Sequence, residues 1–157
     1  MIPRLVYRGV KLSMHERTGG TLGPKLAGGP RSTLFDRSGA VHRTRGGDPR
    51  DLGAVRYSSV GNTILLHQLR QEGHATSFVS TTPHRANAEK YALFEEDTGV
   101  VYVIDTDRLA GAGVEALLVK DFVPVPSIPG DEEIVLRASD GGALSSGIII
   151  EMVPVKR

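Results

Sequence analysis

The chain contains no cysteine, which excludes disulfide staples and thiolate chemistry and removes redox usage as a guide to compartment. Its five histidines, His15, His42, His67, His74 and His84, are scattered. None forms a metal-ligand spacing with a second histidine or a carboxylate, so no metal site is expected. Long hydrophobic runs are also missing: GVVYVI and GIII fall far short of the ~20 residues a membrane helix needs. Charge of either sign is nearly balanced, at 19 Lys and Arg against 18 Asp and Glu for a net +1, which gives no global argument for nucleic acid. The first ten residues, MIPRLVYRGV, have no apolar core and no small-residue cleavage pattern, so no signal peptide is expected.

The 157 residues, 39% hydrophobic and 24% charged, suit a single globular domain over 1–157. RLVYRGV (4–10) is β-branched and aromatic and reads as a strand. Residues 17 to 56 are rich in Gly, Pro, Arg and Ser without a sustained period and read as a long loop. That stretch holds eight Lys and Arg against three Asp, a local balance of +5. SSVGNTILLHQLRQEG carries Ile64, Leu65, Gln68 and Leu69 at near-helical spacing and stops at Gly73. TSFVST reads as a strand and PHRANAEKYALF as a helix with Ala88, Tyr91 and Ala92 on one face. GVVYVID is a continuous apolar run of strand length, expected as a central strand buried on both sides. DRLAGAGVEALLVKD holds a short helical turn, DEEIVLRA alternates as a strand, and GIIIEMVPV reads as a closing strand. Few helices among several non-local strands define an α+β class.

Three consecutive hydroxyls, Ser80-Thr81-Thr82, stand where a strand gives way to a helix. Capping accounts for one of them, since Thr82 can accept from the first helical N–H groups and Pro83 suits the first helical position. The other two need a partner elsewhere. On DEEIVL, Ile134 and Leu136 point one way, so Glu133 and Val135 point the other, with Asp131 on Glu133's side. Two carboxylates on one face, beside a strand end carrying Ser and Thr, define a polar cleft. The bland alternative is that Asp131, Glu132 and Glu133 form a solvated acidic turn.

Three stretches in order, YRG, FVSTT and DEEI, resemble the mono-ADP-ribosyltransferases of the cholera-toxin-like class. Arg8 matches the family's first-strand arginine, Ser80-Thr81-Thr82 its S-T-S/T, and Glu133 the final glutamate of its E-x-E loop. The resemblance runs from Leu5 to Val155, except for residues 17 to 56. It implies an ADP-ribosyltransferase-like fold, in which two roughly perpendicular, antiparallel-rich sheets and a few flanking helices form an NAD cleft. It implies NAD as substrate, with Glu133, Asp131 and Ser80 catalytic, and Arg8, Tyr7, Gly9, Ser80, Thr81 and Thr82 binding the dinucleotide. Glu133 would stabilise an oxocarbenium-like state with Ser80 holding its rotamer. Thr81 and Thr82 would shape the nicotinamide pocket, and Arg8 would anchor a phosphate or ribose.

Asp131 stands where the family has the first acid of E-x-E. Aspartate keeps the charge with one methylene less of reach, which favours a guanidinium or water acceptor over a base. A one-residue slip would make Glu132 the functional carboxylate. The expected function is transfer of ADP-ribose to a macromolecule, protein rather than nucleic acid, by a bacterial toxin or effector module delivered into a target cell. A cognate immunity protein is a further partner. A NAD glycohydrolase of the same fold, or a nucleic-acid-binding domain using the basic loop, are the alternatives.

Overall fold

The computed structural model describes residues 1–24, 64, 78–123, 126 and 128–157 with their side chains, and the backbone of 32–35, 41–42 and 55–58. The chain is α+β, with small antiparallel sheets and two short helices among the described residues. Strand β1 (Leu5–Lys11) runs into helix α1 (Leu12–Thr18), which the sequence reading did not anticipate. The glycine at the end of α1, Gly19, takes the left-handed conformation at φ 62°, as a helix C-cap favours.

The segment expected as one long loop, 17–56, contains regular structure. Strands β2 (Ser32–Phe35), β3 (Val41–His42) and β4 (Val55–Ser58) form a sheet in the order β3-β2-β4. Its remaining residues beyond 24 lie outside the described residues, as does the expected helix around Ile64. Ile64 itself is helical and fully buried.

Two other sheets build the core. Strand β5 (Val79–Thr81), helix α2 (Arg85–Ala92), strand β6 (Thr98–Asp105), strand β7 (Val114–Leu118), strand β8 (Ile134–Ala138) and strand β9 (Ile149–Lys156) complete the chain. One sheet has the order β1-β6-β9 and the other β5-β8-β7. As its apolar run predicts, β6 is central and buried along nearly its whole length. Alternation assigns its faces. Val100, Tyr102 and Ile104, with Val6 and Val10 of β1, join Val79, Ile134 and Leu136 of the other sheet in the main cluster. Val101 and Tyr7 instead meet Ala88 and Ala92 of α2.

Helix α2 approaches its sheet closely because the facing positions lack side chains. A Cβ on Gly9 would stand 1.7 Å from the Ala88 carbonyl oxygen, and one on Gly99 2.3 Å from that of Ala92. Both neighbours are helix backbone, which cannot turn aside. The helix begins at Arg85, later than expected, so Pro83 precedes it. Ala88 and Ala92 face inward as read, while Tyr91 is exposed.

Strand β8 also departs from its expected character. Ile134, Val135 and Leu136 are all fully buried. Ile134 and Leu136 face the main cluster, and Val135 enters a second one with Ile64, Phe78, Val119 and Val123. The alternation is real, but neither face of the strand is open to solvent at its centre.

At the end of β6, Asp105 is buried beside Arg4 at 3.5 Å and Arg108 at 3.8 Å. Burial works against its charged form, but the Asp107 amide and the Arg4 and Arg108 guanidinium groups outweigh it. Together they hold the carboxyl below its ordinary value.

Gly9→Ala should lower the unfolding free energy by about 1–3 kcal/mol in chemical denaturation, since the clash is with backbone. Gly111→Ala, where a Cβ meets nothing within 4 Å, should change it by less than about 0.5 kcal/mol. For Asp105 the folded pKa is depressed, so its stabilisation is present above the unfolded pKa and is lost as pH falls through the folded one. Asp105→Asn should therefore flatten the acid-side fall of stability, read as Tm against pH.

Candidate functional site

The two core sheets meet at one backbone pair. Tyr7 N–H donates to the Thr82 carbonyl at 2.8 Å, and Thr82 N–H donates to that of Tyr7 at 2.9 Å. On either side of this seam the chain carries the motif residues. Arg8 follows Tyr7, Ser80 and Thr81 precede Thr82, and Ile134, the neighbour of Glu133, lies opposite Thr81 in the β5–β8 register.

Arg8 points to the core side of β1, with Val6 and Val10, and is half-buried. Its Nη1 donates to the Ser80 carbonyl at 2.8 Å. Burial pushes the guanidinium below its ordinary value, opposed by attraction to the Tyr102 phenol and the Glu133 carboxyl group. A cation is therefore held between two strands that reach it from positions far apart in sequence, with Glu133 within its field. Arg8, Ser80 and Glu133 are brought together.

The three hydroxyl residues divide differently from the expectation. Thr81 and Thr82 are both buried. Thr81 Oγ1 donates to the Ile134 carbonyl at 2.7 Å and Thr82 Oγ1 donates to that of Asp131 at 2.6 Å. Thr82 Oγ1 also accepts from His84 N–H at 3.1 Å, a turn just ahead of α2. Both hydroxyls thus tie β5 to the segment around Glu133. Ser80, opposite Val135, lies on the other face of the strand and is half-buried.

Asp131 and Glu133 do not share a strand face, because the strand starts only at Ile134. Asp131 closes a 3-10 turn, Pro129–Asp131, and Glu132 follows in the left-handed region at φ 45°, ψ 48°. That conformation, costing a non-glycine residue about 1 kcal/mol or more, turns the chain between the 3-10 turn and the start of β8 at Ile134. The Glu133 carbonyl accepts from Val119 N–H at 3.0 Å, and its side chain is half-buried.

Helix α2 holds this turn. Asn87 Nδ2 donates to the Gly130 carbonyl at 3.1 Å and to Asp131 Oδ1 at 3.2 Å. Tyr91 donates its hydroxyl hydrogen to Asp131 Oδ2. His84 Nε2 lies 2.6 Å from Glu132 Oε2. The Asp131 carboxylate is therefore engaged on both oxygens by the helix. Glu132, the register alternative, pairs with His84 on the exposed side of the turn.

Tyr7 and Gly9 fall on the opposite face of β1 from Arg8. Tyr7 packs against the Ala88–Ala92 cluster and Gly9 against the helix backbone. One residue that the sequence does not single out stands near Arg8. Tyr102 faces it across the β1–β6 pair, and its phenol lies 2.5 Å from His15 Nδ1 on α1. Burial raises the Tyr102 phenol above its ordinary value, with Arg8 opposing. The available signal was the single hydroxyl in the run VVYVI.

Among the described residues, no group of three His, Cys, Asp or Glu side chains gathers to hold a metal. Nor is any helix there long and apolar enough to cross a membrane. No family model matches the chain, and no curated protein matches it.

Asn87→Ala with Tyr91→Phe should loosen the turn at a cost of about 1–3 kcal/mol. Hydrogen exchange should accelerate at the Asp131 and Glu132 amides, which bond to Ile128 and Pro129, and stay unchanged in β6. Unchanged exchange in the turn would mean that α2 does not hold it.

Proposed function

We propose that the protein is a NAD-dependent mono-ADP-ribosyltransferase that cleaves the nicotinamide–ribose bond and transfers ADP-ribose to a protein acceptor, with arginine side chains slightly favoured. The observation that carries this reading is Arg8. Its guanidinium bonds to the Ser80 carbonyl at 2.8 Å and is attracted to Glu133, which supports a shared site for a residue of β1, one of β5 and one just ahead of β8. In this reading the sheets joined at Tyr7 and Thr82 are the two halves of an ADP-ribosyltransferase-like cleft.

Each residue has a role that follows from its chemistry. The Glu133 carboxylate accepts from the ribose 2′-hydroxyl and stabilises the positive charge that develops as nicotinamide leaves. Arg8 carries five N–H donors. Its bond to Ser80 fixes the guanidinium plane, and its remaining donors suit a phosphate or ribose oxygen. Ser80 limits the conformations of Glu133. Thr81 and Thr82 act through the backbone, holding the glutamate's segment against β5. Such an activity suits a bacterial toxin or effector module delivered into a target cell, with an immunity protein as a natural partner.

One observation favours a second reading, a NAD glycohydrolase. Asp131, the residue expected to act on the acceptor, is engaged by Asn87 and Tyr91. A water acceptor needs less orientation than a guanidinium, so an occupied Asp131 is compatible with hydrolysis.

Purified protein incubated with labelled NAD and a cell lysate tests both. Glu133→Gln should cut NAD cleavage about 10²–10³-fold at unchanged Tm, and Glu132→Gln should be mild. Wild-type cleavage by Glu133→Gln would overturn the site. Label recovered in protein supports transfer, and label found only in free ADP-ribose supports hydrolysis.

A further inference from the structure

We propose that the β7–β8 end of its sheet, remote from Glu133, carries a second binding site. Its ligand is an amino-acid-sized carboxylate with an N–H donor on the adjacent carbon. The proposal stands apart from the ADP-ribosyl reading. A cavity of about 390 Å³ opens there, lined by Ala110, Val114, Glu115, Arg137, Ala138 and Ser139. Arg137 Nε is buried inside the fold and has no hydrogen-bond partner. Buried donors on charged groups are rarely left unpaired, and an orphan of this kind calls for a missing acceptor.

The register sharpens the chemistry. Arg137 and Glu115 are direct cross-strand partners, where opposite charges ordinarily pair. Among the described residues, no ion pair or hydrogen bond joins them. Both residues instead line one cavity, a donor and an acceptor on adjacent strands. A phosphate dianion would meet Arg137 but be repelled by Glu115. A carboxylate flanked by an ammonium or amide N–H satisfies both, and the small side chains of Ala110, Val114 and Ala138 accept an aliphatic body. The volume lies near the lower end of ligand pockets, roughly 300–1,000 Å³, which suits one or two residues.

The pocket's wall is fixed by backbone. Gly113 takes the left-handed conformation at φ 65° after the 3-10 turn Ala110–Ala112, and its carbonyl accepts from Ser139 N–H at 2.9 Å. Arg137 lies four residues along the chain from Glu133, about 13 Å at strand rise. The cluster of Ile64, Phe78, Val119, Val123 and Val135 is built on the intervening position, so the two sites do not merge.

The Arg137 Nε–H resonance of ¹⁵N-labelled full-length protein reads this site directly. Alanine and N-acetylalanine should shift it saturably, while alanine amide and inorganic phosphate should not. Arg137→Gln, which removes that resonance, should abolish the heat of alanine binding in calorimetry. Glu115→Gln should weaken alanine about tenfold and N-acetylalanine about twofold or less, because only the ammonium forms a charge-assisted bond to Glu115. Tighter binding of N-acetylalanine identifies a peptide carboxy terminus as the ligand source, and tighter binding of alanine a free amino acid. No saturable shift by either carboxylate, or an equal response to phosphate or to alanine amide, overturns the assignment. Because NAD cleavage is not the readout, failure here leaves the reading of the Glu133 site untouched, and failure at Glu133 leaves this one.

Discussion

The reciprocal backbone pair between Tyr7 and Thr82 is the constraint on which the site depends. It joins the two core sheets through their backbones, and it sets the height at which β1 faces β5. With that pair fixed, Arg8 stands one residue beyond the seam and reaches the Ser80 carbonyl. A shift of one residue would turn Arg8 to the α2 face of β1 and bring Tyr7 or Gly9 into its place. Gly9 and Gly99 bar that slip, because only glycine tolerates the helix backbone at their positions.

Around the seam, polar groups that would be costly to bury are satisfied in ways that also build the site. Thr81 and Thr82 are buried, and their hydroxyls find backbone carbonyls on the segment leading to β8. These bonds hold that segment beside β5 without presenting a polar surface. Arg8 is similarly half-enclosed, and the loss of hydration is offset by a short carbonyl bond and by the nearby Glu133 carboxyl group. A half-buried cation kept at a cost in hydration is a common mark of a functional position, since packing alone would favour an aliphatic side chain there.

The turn before Glu133 shows how one element positions another. Helix α2 docks closely on β1 and β6 through the two glycines, and its outer side chains, Asn87 and Tyr91, then capture Asp131. The left-handed Glu132 completes the reversal. Close packing of the helix on one face is thus transmitted to the placement of Glu133 at the sheet seam. The same helix links the first strand of the chain to the last motif, which explains why residues so far apart in sequence share a site.

Local periodicity in the sequence determined much of this protein: the α+β class, the strands RLVYRGV, FVST, VVYVID and GIIIEMVPV, and the inward Ala88 and Ala92. These follow from side-chain alternation and helix spacing, which are properties of neighbouring residues. Within 17–56, β2, β3 and the first two residues of β4 carry no such period, so the sequence alone predicts a loop there. Helix α1 was missed for a related reason, since none of its residues is buried and no apolar stripe marks it. Only the tertiary structure decided which polar partners meet. Asp131 turned to α2 rather than to Glu133's side, Thr82 bonded backwards to the Asp131 carbonyl, and Tyr102 found His15 and Arg8. Each such choice is made among donors and acceptors dozens of residues apart, once the sheets have set their distance, and no local pattern encodes it.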